Sequence, residues 1–513
     1  MGVLDTEQPD WAHYAATELI LLPSFGLEGG PAEKLLYRLH WLLLEDGVRF
    51  FAVDDKHEIG EENWLRPVEK PDDAQIHLLA SAFPNGPKLV QVSPDLLQRF
   101  RTDPGPLRLV PNCRYQTVSL HPGPDPSPMP GSAPVLTVEV VDATSGKAVP
   151  GAGVELFEDV PHAIGDLGTS DSAGRIDLKV AGVPLKVERL YVTPPGTGYW
   201  GRFAENIVIT SSPYQVALDP VAAAHVDAAR RVYPSVDTNG AGVRVGVVDH
   251  GIDAGEVPVA GGCNLVLGEP DGDHGDDGTG HGTHVAGIIA NKQAGAPGGI
   301  APAAEIFSYR VFGVGMDATS FSVLMAVVAA AGDDCHLINL SVGGLAHDAI
   351  LRDLDIWAAD HGSVLFAATG NDWGGNVTIP AALHSTLAVA AVGRVGTFPA
   401  GSLEDAYIGT RSTTDNDDFF ASFANYLPNR AVDLIAPGVG ILSVREGGGY
   451  GPLSGTSQAC AVATGAAARA LTNASWLTDA ADLARSAAMK NHLIPNTQRI
   501  GLPLDLEGSG LLP

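Results

Sequence analysis

From residue 221 onward the chain alternates short apolar runs with longer stretches rich in alanine and glycine. The runs VRVGVVD, EIFSYRV, LINLSV, SVLFAAT, TLAVAAV and VDLIAP are nearly continuous in apolar character, which predicts strands covered on both faces. Between them, 281–291, 320–331, 346–361 and 456–471 read as helices, so residues 221–513 form an α/β domain with a mostly parallel sheet.

Upstream, the period changes. In 135–218, LTVEVVD, VELFE, RIDLKV and KVERLYV alternate apolar and polar residues and are separated by the turn sequences TSGK, SAGR and PPGTG. This predicts a small β-sandwich, similar to modules appended to many bacterial proteins and most simply read as a spacer or stabiliser. Before it, 121–134 (HPGPDPSPMPGSAP) has prolines at every second or third position and reads as an extended linker. Residues 1–120 predict a small α/β domain: a strand at 18–22, an amphipathic helix at 32–44, and a strand-helix-strand unit at 88–118 with Ser93 capping its helix.

Composition narrows the partners. Sixty acidic against thirty-one basic residues give a formal charge of −29, which disfavours nucleic acid and anionic lipid surfaces. No apolar run approaches the ~20 residues needed to cross a bilayer. The first ten residues are acidic and polar, so no secretory signal is expected, and the chain reads as soluble, cytoplasmic or exported by a route without a visible signal. Cys113, Cys263, Cys335 and Cys460 are scattered without metal-type spacing and are expected reduced.

Three motifs carry chemistry. Asp249 ends the apolar strand VRVGVVD, His281 lies in GHGTHVAGIIA, and Ser457 lies in LSGTSQACAVATG, the last two at helix starts. Singly, each has an ordinary explanation as a cap or turn residue. Together they supply a nucleophile, a base near neutral pKa and a carboxylate to orient it, in the order Asp, His, Ser. Glycines at 280, 282 and 455 permit close backbone approach to the reacting centre.

These three fragments resemble the signatures of the subtilisin-like serine peptidases (the subtilase family), over about 221–513. INLSVGG at 338–344, AATGN at 367–371, DLIAPG at 433–438 and the terminal GSGLL resemble further family marks. The resemblance implies peptide-bond hydrolysis through Asp249, His281 and Ser457, with Asn371 as oxyanion-hole donor. It also implies a substrate-pairing edge at Ser341, Val342 and Gly343, an opposite wall at 368–370 including Ala368 and Gly370, and Thr378 at the floor of the primary specificity pocket. There Thr378 replaces a small glycine and favours small or medium aliphatic residues.

Other departures are His250 after the aspartate, Gln458 and Ala461 near the serine, and an insertion over 394–418. The stretch 88–115 resembles the second half of propeptides that precede such catalytic domains, so 1–120 is expected to act as an intramolecular inhibitor, although a linker and a β-module intervene. Asp271, Asp273, Asp276 and Asp277 make the loop before His281 a candidate calcium site, against a solvated acidic loop; no cofactor is otherwise implied. A nucleotide-binding reading fails because Gly240, Gly242 and Gly246 lie before and within a strand, not in the turn after it. An inactive binding fold is the remaining alternative, and it conflicts with the intact Asp, His, Ser and Asn set.

Overall fold

The computed structural model describes residues 18–54, 56–69, 74–102, 105–117, 120, 125–127, 134–344, 348–426 and 432–513. The expected apolar runs form the main parallel sheet. Gly261–Asn264, Glu305–Arg310, Arg244–Asp249, Leu337–Leu340, Val364–Ala368 and Leu387–Arg394 lie side by side in that order, all parallel. Leu434–Pro437 also pairs in parallel with Leu387–Arg394. The insertion at 394–418 joins the same sheet through the antiparallel strands Ile408–Arg411 and Asp418–Ala421.

Helices cover both faces, which is why these strands carry no polar alternation. His281–Ala290 and Thr456–Ala470 share one core with the sheet, whereas Ser320–Gly332 and Ala349–Asp360 share the other. Part of the helix expected at 346–361 falls outside the described residues. LINLSV differs from expectation: the ladder stops at Leu340, and Val342–Gly343 leaves the sheet to pair elsewhere.

The first unit is larger than its strand-helix-strand reading. A six-stranded antiparallel sheet includes Phe50–Val53, Leu65–Pro67 and Ile76–Ser81 beside the expected Leu19–Pro23, Lys88–Val92 and Leu107–Pro111. Helices Glu33–Leu44 and Pro94–Thr102 bury one face, and Ser93 Oγ accepts from Leu96 N at 3.3 Å as the capping expectation requires. The other face, through Ile20, Leu22, Leu89 and Val110, packs on Phe321, Leu324 and Leu351 of the helices Ser320–Gly332 and Ala349–Asp360.

Residues 134–218 form two sheets over one apolar core, with strand orders that mix expected strands with the unanticipated Ile164–Thr169, Arg202–Ile209 and Tyr214–Leu218. Most of the 121–134 linker lies outside the described residues. Within it Ser127 is tied to the two-sheet unit, its N donating to Ala163 O at 2.8 Å and its O accepting from Gly165 N at 3.1 Å.

Candidate active site

Asp249 sits at the carboxyl end of a central strand, where parallel sheets gather their functional groups. It is fully buried. Its Oδ1 accepts from His250 N at 2.8 Å and contacts His281 Nδ1 at 2.8 Å. His281 opens its helix behind Gly280, whose φ of 69° is left-handed and favours glycine. Gly282 lets that turn approach the strand end: an added Cβ would stand 2.1 Å from Gly251 O.

Ser457 is buried at the second position of the helix Thr456–Ala470, which packs against the helix that His281 opens. Beside it, Asn371 Oδ1 accepts from Thr456 N at 3.0 Å and Thr456 Oγ1 at 2.9 Å. That fixes the plane of the amide and turns its NH₂ end away from Thr456. The structure therefore joins Asp249 to His281 and Asn371 to Thr456, the neighbour of Ser457, and packs the helices of His281 and Ser457 together, although these residues are up to about two hundred apart in sequence.

Val342–Gly343 is an open strand edge and is occupied by the chain's own segment Arg114–Thr117, antiparallel, with Val342 opposite Thr117 and Gly343 opposite Gln116. Ser341 is buried, its Oγ accepting from Asn339 Nδ2 at 3.0 Å. Ala368 and Gly370 lie at and just beyond the end of the strand Val364–Ala368. Thr378 is buried next to them: a Cβ on Gly370 would come within 2.8 Å of its Cγ2, and its Oγ1 donates to Thr369 O at 3.3 Å.

His250 was legible as an unusual residue, but its partners were not. Its Nδ1 meets Asp277 Oδ2 at 2.6 Å, its ring stacks on Phe312 with centroids 4.2 Å apart, and its Nε2 touches Thr117 Oγ1. Burial pulls the His250 pKa down. The Asp277 hydrogen bond and the charges of Asp249, Asp277 and Asp276 outweigh it, so the group ends above the ordinary histidine value. His284, in the same motif as His281, is wholly buried, and desolvation holds it far below the ordinary value; its Nε2 meets Gly451 O at 3.2 Å.

Two of the four loop carboxylates have structural tasks. Asp277 holds His250, and Asp276 accepts from Gly280 N at 2.8 Å and Thr283 Oγ1 at 2.5 Å, tying the loop to the helix start. Among the described residues, no group of three or more His, Cys, Asp or Glu side chains is arranged to hold a metal ion. The four cysteines are free thiols, and burial pushes Cys113 and Cys263 up to about 11. No helix among the described residues is long and apolar enough to cross a membrane.

This layout, a parallel α/β domain with Asp249 and His281 in contact at a strand end and Ser457 at the start of a helix packed on the helix of His281, has a counterpart in sequence comparison: a subtilase family model matches residues 240–510, just over half of the chain. The chain belongs to the subtilase family and is by class a serine endopeptidase. It is 33% identical over 277 residues to subtilisin Savinase of Lederbergia lenta, covering 53% of this chain and 89% of that one. An alkaline protease of Shouchella clausii is also 33% identical over 277 residues, and alkaline elastase YaB of Bacillus sp. (strain YaB) is 32% identical over the same length. The aligned part covers 63% and 64% of those two proteins, just under two thirds of their length.

Proposed function

We propose that this protein hydrolyses peptide bonds through Ser457, His281 and Asp249, with Asn371 and the Ser457 backbone N–H stabilising the oxyanion. The observation that carries the reading is the 2.8 Å contact between His281 Nδ1 and buried Asp249. With Nδ1 committed to the carboxylate, Nε2 is left as the proton-transfer nitrogen. Ser457 Oγ then attacks the carbonyl carbon and gives its proton to Nε2. The C–N bond breaks as that proton passes to the amine. Water repeats the sequence on the acyl-enzyme and restores Ser457.

Peptide and protein substrates bind as a strand added to Val342–Gly343, facing Ala368 and Gly370. Thr378 narrows the pocket for the residue before the scissile bond and favours small or medium aliphatic side chains. The first unit serves as a propeptide-like inhibitor, with Arg114–Thr117 lying where a substrate strand would; the two-sheet unit is a β-sandwich module. What supports the inhibitor reading is the antiparallel register of Thr117 and Gln116 on that edge.

The test is Ser457→Ala. Peptide hydrolysis should fall by about 10⁶, the magnitude known for loss of the serine in another subtilisin, with the fold unchanged. Labelling by a fluorophosphonate should vanish in parallel. An active Ser457→Ala protein would overturn the assignment, and an unlabelled, inactive wild type would favour a binding role for the fold.

A further inference from the structure

The segment Arg114–Thr117 carries one side chain deep into the α/β domain. Tyr115 pairs through its backbone with Ala318, on the side of the segment away from Val342–Gly343, so the segment lies between two strand edges. Its side chain is 1% exposed and shares one apolar cluster with Ala318, Val342 and Leu351. Gly344 lies against the ring: a Cβ there would stand 3.0 Å from Tyr115 Cε1. At the far end of this apolar pocket the hydroxyl donates to Asp348 Oδ2 at 2.8 Å.

Asp348 is itself buried, and its two oxygens have separate tasks. Oδ1 accepts from Ile350 N at 3.0 Å and Leu351 N at 3.2 Å, capping the helix Ala349–Asp360. Oδ2 accepts from Ser320 Oγ and from Tyr115, so it serves the pocket. Burial pushes the Asp348 carboxyl up, and the hydrogen bonds from Ser320 and Tyr115 work against that. Burial, reinforced by Asp348, holds the Tyr115 phenol far above its ordinary value, which keeps it a donor. An occupant without a donor leaves the buried oxygen short of one bond, and bonds to a carboxylate are among the strong ones.

The direction of the segment relates this pocket to the chemistry. Thr117, two residues after Tyr115, touches His250 Nε2, and His250 directly follows Asp249. A substrate strand in the same register therefore presents a side chain to Asp348 from the acyl side of the scissile bond. Ser320 and Asp348 read in the sequence only as helix residues, outside the edge and the pocket that it marked.

We propose that Asp348, supported by Ser320, is a specificity determinant of this peptidase: it selects tyrosine over phenylalanine at one acyl-side position by accepting the phenol hydroxyl. The proposal rests on the triad and substrate-strand reading above. Thr378 then sorts the residue next to the bond by size, and Asp348 sorts a more distant one by its hydroxyl. Tyr115 is the chain's own copy of the preferred residue, so a substrate displaces the first unit by offering the same hydrogen bond.

The experiment uses the full-chain protein and internally quenched peptides in which Tyr, Phe or O-methyltyrosine is stepped through successive positions before the bond, the three competing in one mixture. Such competition gives ratios of kcat/KM that do not depend on how much of the cleft the chain's own segment holds. Wild type should favour Tyr over Phe by about tenfold or more at a single position, the scale for a site that loses a partner for a buried acceptor. O-methyltyrosine, which has no O–H, should do no better than Phe. Asp348→Asn keeps a carbonyl oxygen for the helix cap but loses the charge, and should narrow the Tyr-to-Phe ratio severalfold with Ser457 still labelled by a fluorophosphonate. The O-methyltyrosine comparison needs no variant and decides alone if Asp348→Asn does not fold. Tyr and Phe within twofold at every position, O-methyltyrosine cleaved as well as Tyr, or a ratio unchanged in labelled Asp348→Asn would each overturn the proposal and leave the triad reading standing. A wild type that is neither labelled nor active on any peptide would overturn both.

Discussion

Two units precede the catalytic sheet, and they attach to it in different ways. The first presents one sheet face to the helices Ser320–Gly332 and Ala349–Asp360 and reinforces it with polar contacts at its edge, including Tyr115 Oη donating to Asp348 Oδ2 at 2.8 Å and an Arg108–Asp353 ion pair. Its own core, built around Trp64, Phe51 and Leu36, lies on the far side of that sheet. The two-sheet unit also keeps a core of its own, but it sends Trp200 into the catalytic core beside Val257, Leu442 and Tyr407. A face laid on a surface can be lifted off with the unit's own core intact, at the cost of exposing the apolar residues between the two. A tryptophan shared with another core cannot. The first unit therefore suits temporary occupation of the cleft, and the second suits permanent attachment.

The most severe way to break this contrast is Trp200→Ala, which should cost about 3–5 kcal/mol of catalytic-domain stability through the cavity it leaves. Thermal or denaturant unfolding of the full chain measures it. A loss confined to the two-sheet unit, with the catalytic transition unmoved, would show the two cores to be independent. Next comes Tyr115→Phe, which removes one buried hydrogen bond to Asp348 and should weaken docking of the first unit by about 1–2 kcal/mol, or roughly tenfold. Binding of residues 1–120 to residues 134–513, measured by calorimetry, reads it, and an unchanged affinity would contradict the docking contact.

A smaller effect is expected at His250. Its folded pKa lies above the ordinary histidine value, so its charged pairing with Asp277 contributes stability that is full below the unfolded value and lost as pH rises through the folded one. Asp277 is held low: burial opposes this, but the His250 hydrogen bond and charge prevail, so its contribution is lost only on acidification. Asp277→Asn should accordingly be more destabilising near pH 6 than near pH 8.5. Equal penalties at the two pH values would mean that His250 is neutral throughout.

The parallel sheet was legible because strands buried on both faces must be nearly continuous in apolar character, as VRVGVVD and TLAVAAV are. The family motifs marked residues 249, 281, 371 and 457 for the same site. Arg202–Ile209 was not legible, because most of its residues are exposed or half-buried and Asn206 takes a φ of 53° that breaks the alternation. Ile164–Thr169 was hidden by Gly165, which lies so close to the neighbouring strand that a Cβ would meet Leu156 O at 1.9 Å. Asp277 looked like a member of an acidic loop. Its task depends on His250, a neighbour that only the folded chain supplies.

The central contrast is tested most directly by expressing residues 134–513 alone and titrating peptide hydrolysis with residues 1–120 as a separate chain. The account predicts an active, folded shorter protein, or one that folds efficiently only with the added chain, and inhibition that saturates near one equivalent. A shorter protein that folds and cleaves equally well alone, and that residues 1–120 neither bind nor inhibit, would contradict it.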